Sequence, residues 1–286
     1  MENCLEVKNL SKSFKNFQLN DITFTLPKGY IMGLIGPNGS GKTTIIKLIL
    51  NMLKRSDGEV KILGLDNIKN EKETKMNLGV VCDSNYFSDE WKVSQIEKSV
   101  SLFYKNWDTQ KFSNMLKKFN IITSKKIKEL SKGMQMKLML AYAFSYNAKL
   151  LILDEPTSGL DPVSRDELLD ILLEYIEDGE HSVLFSTHIT EDLERIADYI
   201  TYIKHGELFF SGGKNEFVDM FRVVKGGNEE LSMNLKRKIV NIRNFSTGFE
   251  ALIKTENLKD FEHLNIEKAT IYDIVVFTSN RGEHHE

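Results

Sequence analysis

Residues 36–43 read Gly36-Pro37-Asn38-Gly39-Ser40-Gly41-Lys42-Thr43, and Thr44 follows them. This order matches the pattern G-x-x-x-x-G-K-[ST], whose glycines allow successive backbone N–H groups to point inward at phosphate oxygens. A helix that begins near Lys42 adds the partial positive charge of its N-terminus. We therefore expect residues 36–44, the phosphate loop, to bind a nucleotide, with Lys42 at the β- and γ-phosphates and the Thr43 hydroxyl on Mg²⁺.

The flanking residues supply the setting that this loop requires. An apolar run at 30–35 predicts a buried strand before the loop, and residues 42–53 have helical character. A chance glycine-rich turn would lack this order of strand, loop and helix. Many protein families share the loop, so it identifies the ligand and not the protein.

A second candidate site lies much further along the chain. Residues 150–153 are all apolar and are followed by Asp154-Glu155. A buried parallel strand delivers the residues at its carboxyl end to the crevice where ligands bind. Asp154 is therefore predicted to hold Mg²⁺ through water, and Glu155 to act as general base on an attacking water. The competing interpretation is a strand that ends in an acidic surface turn.

The rest of the chain alternates predicted strands with predicted helices, which favours a parallel α/β core. Strand patterns lie at 2–9, 17–26, 59–63, 182–187, 199–203 and 207–211, and helical patterns at 162–177 and 190–197. From about 84 to 147, charged amphipathic segments replace the strand patterns and predict a helical insertion. The pattern changes again after Gly212-Gly213, so we predict two domains, 1–212 and a small α/β accessory domain at 213–286.

Composition narrows the function classes. The chain has 286 residues, 41% of them hydrophobic, and its net charge of −3 argues against a nucleic-acid partner. Cys4 and Cys82 lie far apart, without the spacing of a disulfide framework or a zinc site, which fits a reducing cytosol. The first ten residues do not form a signal-peptide pattern, and no apolar run reaches the roughly 20 residues of a spanning helix. Any work at a membrane is expected to require a separate partner.

Three further motifs point to a family. Leu130-Ser131-Lys132-Gly133-Met134 resembles a signature usually written LSGGQ, Ser158-Gly159-Leu160-Asp161 resembles a D-loop, and His188 follows the strand pattern at 182–187 as a switch histidine does. Together with the phosphate loop and Asp154-Glu155, these motifs make residues 2–212 resemble the ABC ATPase family. The resemblance implies an α/β fold: a P-loop NTPase core with an antiparallel β subdomain and a helical insertion, followed here by the small C-terminal α/β accessory domain.

The resemblance also implies a chemistry. ATP and Mg²⁺ are the implied cofactors, and Glu155 and His188 the implied catalytic residues. Phe14 stands where the family places an aromatic ring against adenine, with Phe17 as its rival. Nucleotide contacts are further expected from Ser131, Gly133 and Asp161, the first two across a dimer with a second ATP-binding subunit, which can be the same chain or a different one.

Two motifs depart from the family pattern. Asp83 stands where the family usually has glutamine; its carboxylate is expected to approach Mg²⁺ and nucleotide through water but cannot donate an amide hydrogen bond. In the signature, Lys132 replaces a glycine and Met134 replaces a glutamine, while Ser131 and Gly133 remain available for phosphate contact.

The implied function is an ATP-hydrolysing subunit that powers an ABC transporter. It would lie on the cytoplasmic face of the cell membrane beside a separate transmembrane permease. The LSKGM variant resembles bacterial exporters of peptides and toxins, so we expect export of such a substrate. The alternative is a soluble ABC ATPase that acts on the ribosome or on DNA. A GTPase or small-molecule kinase would have no use for the signature and His188, and a non-hydrolysing binding module would have none for Glu155.

The helical insertion is expected to receive the permease. Aromatic residues are abundant there, and they serve either as docking groups or as the core of the insertion itself. The stretch at 84–91 is the preferred docking segment. The aromatic candidates are Phe87, Trp91, Phe103, Tyr104 and Trp107.

Overall fold

A computed structural model of the chain describes residues 2–82 and 85–279. In chain order its strands are β1 (Asn3–Ser13), β2 (Gln18–Pro27), β3 (Ile31–Ile35), β4 (Asp57–Ile62), β5 (Leu65–Asp66), β6 (Leu78–Cys82), β7 (Leu150–Asp154), β8 (Ser182–Ser186), β9 (Tyr199–Lys204), β10 (Glu207–Gly213), β11 (Phe221–Gly226), β12 (Ile239–Phe245), β13 (Gly248–Lys254) and β14 (Asn265–Lys268). Its α-helices are α1 (Lys42–Ile49), α2 (Glu71–Met76), α3 (Val93–Val100), α4 (Thr109–Lys118), α5 (Lys132–Ser145), α6 (Pro162–Ile176), α7 (Thr190–Ile196), α8 (Lys214–Asp219), α9 (Met233–Lys236) and α10 (Ile271–Ser279).

The central sheet has the order β10-β9-β3-β8-β7-β6. All neighbouring pairs in it are parallel except β9 and β10, which pair antiparallel. Every residue of β3 and β8 is buried, as strands covered on both faces must be. The predicted parallel α/β core is thereby confirmed, and the carboxyl ends of β3, β7 and β8 meet at one edge of the sheet.

Two smaller structures flank this core. An antiparallel sheet of order β2-β1-β4-β5 contains the N-terminal strand patterns, as the fold class requires. Helices α3, α4 and α5 occupy the segment predicted to be a helical insertion. Phe87 and Phe112 belong to the main apolar core, against which Trp91, Tyr104 and Trp107 also pack. Most of the aromatic docking candidates are therefore core residues, as the alternative interpretation holds.

The first helix is shorter than the sequence predicts. It ends at Ile49 rather than at residue 53, and Asn51 has a left-handed backbone with φ of 53°. The buried Asn67 side-chain amide donates to the carbonyl oxygens of Leu48 and Ile49, at 3.0 and 2.9 Å. Those hydrogen bonds satisfy the last carbonyls of α1 from outside the helix, a tertiary effect that helical periodicity does not reveal.

Residues 221–268 form a third sheet, which is antiparallel and has the order β12-β13-β11-β14. Short helical segments follow β11 and β13, which gives the β-α-β-β-α-β succession of a split βαβ arrangement. One face of the sheet, including Val224 and Ala251, packs against Leu235 and Phe261 of those segments. Val223 and Leu252 on the other face belong instead to the main core.

Helix α10 connects this third sheet to the rest of the molecule. Ile274 and Phe277 of α10 lie in the same apolar cluster as Leu193 of α7 and Ile31 of β3. The buried Tyr202 hydroxyl shares a hydrogen bond of 2.9 Å with the Thr278 hydroxyl. The apolar core thus runs across residue 213, where the sequence predicts a domain boundary, and the boundary itself stays a prediction.

Truncation of Phe277 tests whether α10 belongs to the main core. The side chain is 2% exposed, so Phe277→Ala should lower the free energy of unfolding by about 3–5 kcal/mol, the usual cost of deleting a buried ring. Tyr272→Ala on the same helix, at 49% exposure, is the matched control and should change it by about 0.5 kcal/mol. Urea unfolding followed by circular dichroism measures both variants, and equal losses would contradict a shared core.

Candidate nucleotide-binding site

The phosphate loop connects β3 to α1 and surrounds an open cleft. Gly41 precedes the helix with a left-handed φ of 113°, which side chains rarely tolerate. A Cβ on Gly36 would lie 2.1 Å from the carbonyl oxygen of Ile203, so only glycine fits there. The phosphate-loop cleft has a volume of about 640 Å³. It is lined by Asn16, Phe17, Asn38, Gly39, Ser40, Gly41, Lys42, Thr43, Thr44 and Glu155.

The Lys42 ammonium group is held inside the loop. Only 7% of this residue is exposed, and its Nζ donates to the carbonyl oxygens of Gly36 at 2.8 Å and Pro37 at 3.3 Å. Burial lowers the pKa of the amine, and the nearby carboxylates of Glu155 and Asp154 counteract that effect. A buried cation solvated by backbone carbonyls favours an anion in the cleft, because an anion would neutralise the charge at short range.

The Ser40 hydroxyl indicates where such an anion fits. It is buried, and within residues 2–82 and 85–279 its oxygen is the one buried polar side-chain atom that has no hydrogen-bond partner. Leaving a hydroxyl in that state costs free energy unless a ligand satisfies it. A phosphate oxygen in the loop would accept its proton, so the residues present fit a nucleotide phosphate.

Asp154 is fixed at the edge of the cleft by two hydroxyl groups. Thr43 Oγ1 donates to one carboxylate oxygen at 3.1 Å, and Ser186 Oγ donates to the other at 2.7 Å. These hard oxygen ligands suit Mg²⁺, which takes few protein ligands and completes its shell with water and phosphate. The oxygen atoms of Thr43 and Asp154 therefore fit the predicted Mg²⁺ ion. Sequence analysis missed Ser186, although its polar side chain at the carboxyl end of a buried strand, in register with Asp154, marks the position.

The two predicted catalytic residues lie in direct contact. The Glu155 Oε2 atom is 2.7 Å from His188 Nδ1 and also accepts from the His188 backbone N–H at 3.3 Å. Glu155 itself has a left-handed backbone with φ of 52°, an unfavourable state for glutamate that costs about 1–3 kcal/mol. Its N–H donates to the Ser186 carbonyl at 2.9 Å, which helps to hold that conformation. The strained turn brings the carboxylate to the wall of the phosphate-loop cleft.

Ser131, Gly133 and Asp161 do not line this cleft. Ser131 caps α5, where its hydroxyl accepts from Met134 N at 3.3 Å. Asp161 caps α6 by accepting from Val163 N and Ser164 N at 3.1 and 3.0 Å, and its hydrogen bonds to Ser164 lower its pKa. A Cβ on Gly133 would meet Ser164 Oγ at 3.0 Å, so the amino ends of α5 and α6 lie side by side.

The aromatic candidates for adenine stacking are placed differently. Phe17 lines the phosphate-loop cleft, whereas Phe14 does not, and the two ring centroids are 6.2 Å apart. Phe14 is 43% exposed, so an adenine could reach it. The role of Phe14 stays a prediction with Phe17 as its rival, and the prediction for Asp83 lies outside the described residues.

Known proteins match this chain in sequence and in fold. Residues 19–158 match the family model described as ABC transporter. The chain is 32% identical over 205 residues to the ABC transporter ATP-binding protein YtrB of Bacillus subtilis (strain 168), covering 71% of this chain and 70% of that protein. It is 31% identical over 228 residues to the lantibiotic transport ATP-binding protein SrtF of Streptococcus pyogenes, covering 74% and 93%. A solved ATP-binding subunit of an ABC transporter superposes with a TM-score of 0.68 at 27% identity, covering 74% of this chain and 91% of that one.

Ser40→Ala is expected to weaken ATP binding without destabilising the free protein. Removing a buried hydroxyl that has no partner should leave the free energy of unfolding unchanged or raise it by about 1–3 kcal/mol. ATP affinity should fall roughly tenfold, because a hydrogen bond to a charged phosphate is lost. Denaturant unfolding without nucleotide and calorimetric ATP titration measure the two effects.

Ser182→Ala is the matched control. The fully buried Ser182 hydroxyl accepts from the Gly29 N–H at 2.9 Å, away from the cleft. Its loss should destabilise the free protein and leave ATP affinity unchanged. A Ser40→Ala protein that loses stability but binds ATP normally would show that the hydroxyl has a structural role instead.

Proposed function

Because the chain belongs to the ABC transporter family and is an ATP-binding subunit with ATPase activity, we propose that it powers the export of a substrate through a separate transmembrane permease. The observation that carries the catalytic part of this proposal is the Glu155–His188 contact of 2.7 Å at the wall of the phosphate-loop cleft. It joins two residues that are far apart in sequence at the place where the γ-phosphate of ATP would lie.

Each group in the cleft has a separate task in this proposal. Lys42, the Ser40 hydroxyl and the loop N–H groups hold the phosphates, while Thr43 and Asp154 hold Mg²⁺. Bound Mg²⁺ would neutralise the negative charge that develops on the phosphate oxygens. Glu155 orients a water molecule and accepts its proton as the water oxygen bonds to the γ-phosphorus and the bond to the bridging oxygen of ADP breaks. His188 holds the Glu155 carboxylate in place.

The position of Ser131, Gly133 and Asp161 supports a two-chain site. They lie at the adjacent amino ends of α5 and α6, outside the cleft that the chain forms by itself. We propose that these residues complete the cleft of a second ATP-binding subunit, in a homodimer or a heterodimer. Two ATP molecules would then hold the pair closed, and hydrolysis would release it.

A membrane partner is supported by one exposed apolar surface. Among the helices of the described residues, none has the length and apolar character needed to cross a membrane. Leu102 and Phe103, next to α3, are 89% and 75% exposed, the two highest values among the exposed large apolar residues of the described chain. We propose that these two residues dock the permease on the cytoplasmic face of the cell membrane. Phe103 is thus the one aromatic docking candidate that is strongly exposed, and Tyr86, within the preferred segment 84–91, is 46% exposed.

A peptide or toxin is the proposed substrate class. Support comes from the LSKGM signature and from the likeness to SrtF, a lantibiotic transport protein by name. The other candidate, a soluble ABC ATPase that acts on the ribosome or on DNA, is disfavoured by the net charge of −3. Affinity purification of the chain from detergent-solubilised membranes separates the two: a membrane-spanning subunit supports transport, and ribosomal proteins or DNA would overturn it.

Glu155→Gln tests the catalytic role. The amide keeps the size of the side chain but cannot accept a proton, so ATP turnover should fall roughly 10²–10⁴-fold while ATP still binds. A phosphate-release assay and calorimetric titration measure the two properties. Lys42→Ala is the contrasting variant, since it should weaken ATP binding itself. Near-normal hydrolysis by Glu155→Gln would remove Glu155 from the proposed role.

Leu102→Asp tests the docking surface. The charge should abolish co-purification of the membrane-spanning subunit without reducing the ATP affinity of the isolated chain, because Leu102 is far too exposed to contribute to the core. Ile122→Asp is the control, as Ile122 is also exposed, at 53%, and lies beyond the end of α4. Loss of the partner in both variants would indicate general damage, and loss in neither would overturn this docking surface.

A further inference from the structure

A largely buried cluster of charged and polar side chains lies behind the Glu155–His188 contact. Asp192 of α7 is 1% exposed, and both of its carboxylate oxygens are engaged. Oδ1 accepts from Arg165 Nε of α6 at 2.5 Å, and Oδ2 accepts from the Thr157 hydroxyl at 2.7 Å. Thr157, Arg165 and Asp192 are here called the Asp192 cluster. It is separate from the phosphate-loop cleft, whose lining includes none of its members.

We propose that Asp192 is a positioning residue for ATP hydrolysis, which sets the distance between Glu155 and His188 through Thr157 and α7. This inference rests on the proposed roles of Glu155 and His188. Thr157 lies two residues after Glu155, and Asp192 lies four residues after His188. The Asp192 carboxylate therefore connects the loop that follows Glu155 to the helix that follows His188.

The position of His188 depends mainly on the short link that joins β8 to α7. His188 lies between the last residue of β8, Ser186, and the first residue of α7, Thr190, and its side chain is 54% exposed. The short link to α7 is fixed by hydrogen bonds from Ile189 N to Thr187 Oγ1 at 2.9 Å and from Asp192 N to Ile189 O at 3.3 Å. These hydrogen bonds couple the position of His188 to that of α7.

Charge makes the cluster rigid. A carboxylate taken out of water is strongly destabilising unless it is paired and hydrogen-bonded, and removing one partner of such a pair is costly. Arg165 also lies 3.9 Å from Glu191, a surface residue that contributes little. The low tolerance for separating Arg165 from Asp192 holds α6, α7 and the loop after Glu155 in one arrangement.

A surface ion pair between the same two helices provides a comparison. Arg195 of α7 pairs with both Asp166 and Asp170 of α6, whose side chains are 66% and 63% exposed. Such exposed pairs contribute about 0–1 kcal/mol and do not fix geometry. If any bridge between α6 and α7 supported turnover, Arg195, which makes both of these contacts, would matter as much as Asp192.

The test compares steady-state ATP hydrolysis by Asp192→Asn, His188→Ala and the double variant, with ATP affinity measured by calorimetry. Asparagine keeps the volume and an oxygen for Thr157 but removes the charge that faces Arg165. We expect kcat to fall roughly 10- to 100-fold, as misplaced reacting groups do, with ATP affinity within about twofold of the wild type. The double variant should be no slower than His188→Ala alone, because Asp192 acts through that contact. Arg195→Ala, which removes both surface contacts between α6 and α7, should hydrolyse ATP at the wild-type rate.

The outcomes separate this inference from the proposed function. If His188→Ala is slow but Asp192→Asn is normal, or if the two effects multiply, the positioning role is wrong and the catalytic role of His188 stands. If His188→Ala turns over normally, the proposed role of His188 falls, and the positioning role falls with it. Should Asp192→Asn fail to fold, Thr157→Val, which keeps the Arg165–Asp192 pair, takes its place; normal turnover by folded Thr157→Val would then overturn the inference.

Discussion

Parallel pairing of β3, β8 and β7 is the constraint on which the site depends. The register aligns Leu34 with Ser186, and Ser186 with Asp154, so that three chain segments leave the sheet at one edge. The phosphate loop, the Glu155 turn and the His188 link are the continuations of those strands. A one-residue register slip would exchange the two faces of a strand, disrupt the packing on both sides of the sheet and misplace the segment that follows the strand. The precision of the cleft is therefore a property of the central sheet.

The edge of this sheet also concentrates groups that are unfavourable in the free protein. Lys42 is buried against carbonyl oxygens, the Ser40 hydroxyl has no partner, and Glu155 adopts a left-handed backbone. Each is destabilising on its own, and a phosphate with its cation would relieve the first two. The free energy gained by the surrounding apolar core has to offset the free energy that these groups cost. Asp192 differs from these groups because its charge is already fully paired, which suits a residue that holds geometry rather than ligand.

Much of the fold and of the site can be predicted from sequence. The phosphate loop, Asp154-Glu155 and His188 follow from motif order, and the parallel core follows from apolar runs that end in those motifs. Ser186 could have been found by applying the same strand-end argument to the neighbouring strand. The end of α1 at Ile49 and the Asp192 cluster could not, because they depend on contacts with Asn67, Arg165 and Thr157 that lie far away in the chain. Local patterns report which face of an element is buried, but they do not report what covers it.

Helix α10 has a consequence for how the chain matures during translation. Its residues Ile274 and Phe277 belong to the same apolar core as Ile31 of β3. The core around β3 is therefore complete only after α10, which is close to the end of the described chain, has been synthesised. Domains generally fold as units while synthesis proceeds. Here a nascent chain that has just completed β10 would still expose the apolar surfaces of α7 and α8 that α10 later covers. The emerging polypeptide therefore still has apolar core surface to protect between the synthesis of residue 213 and that of residue 277.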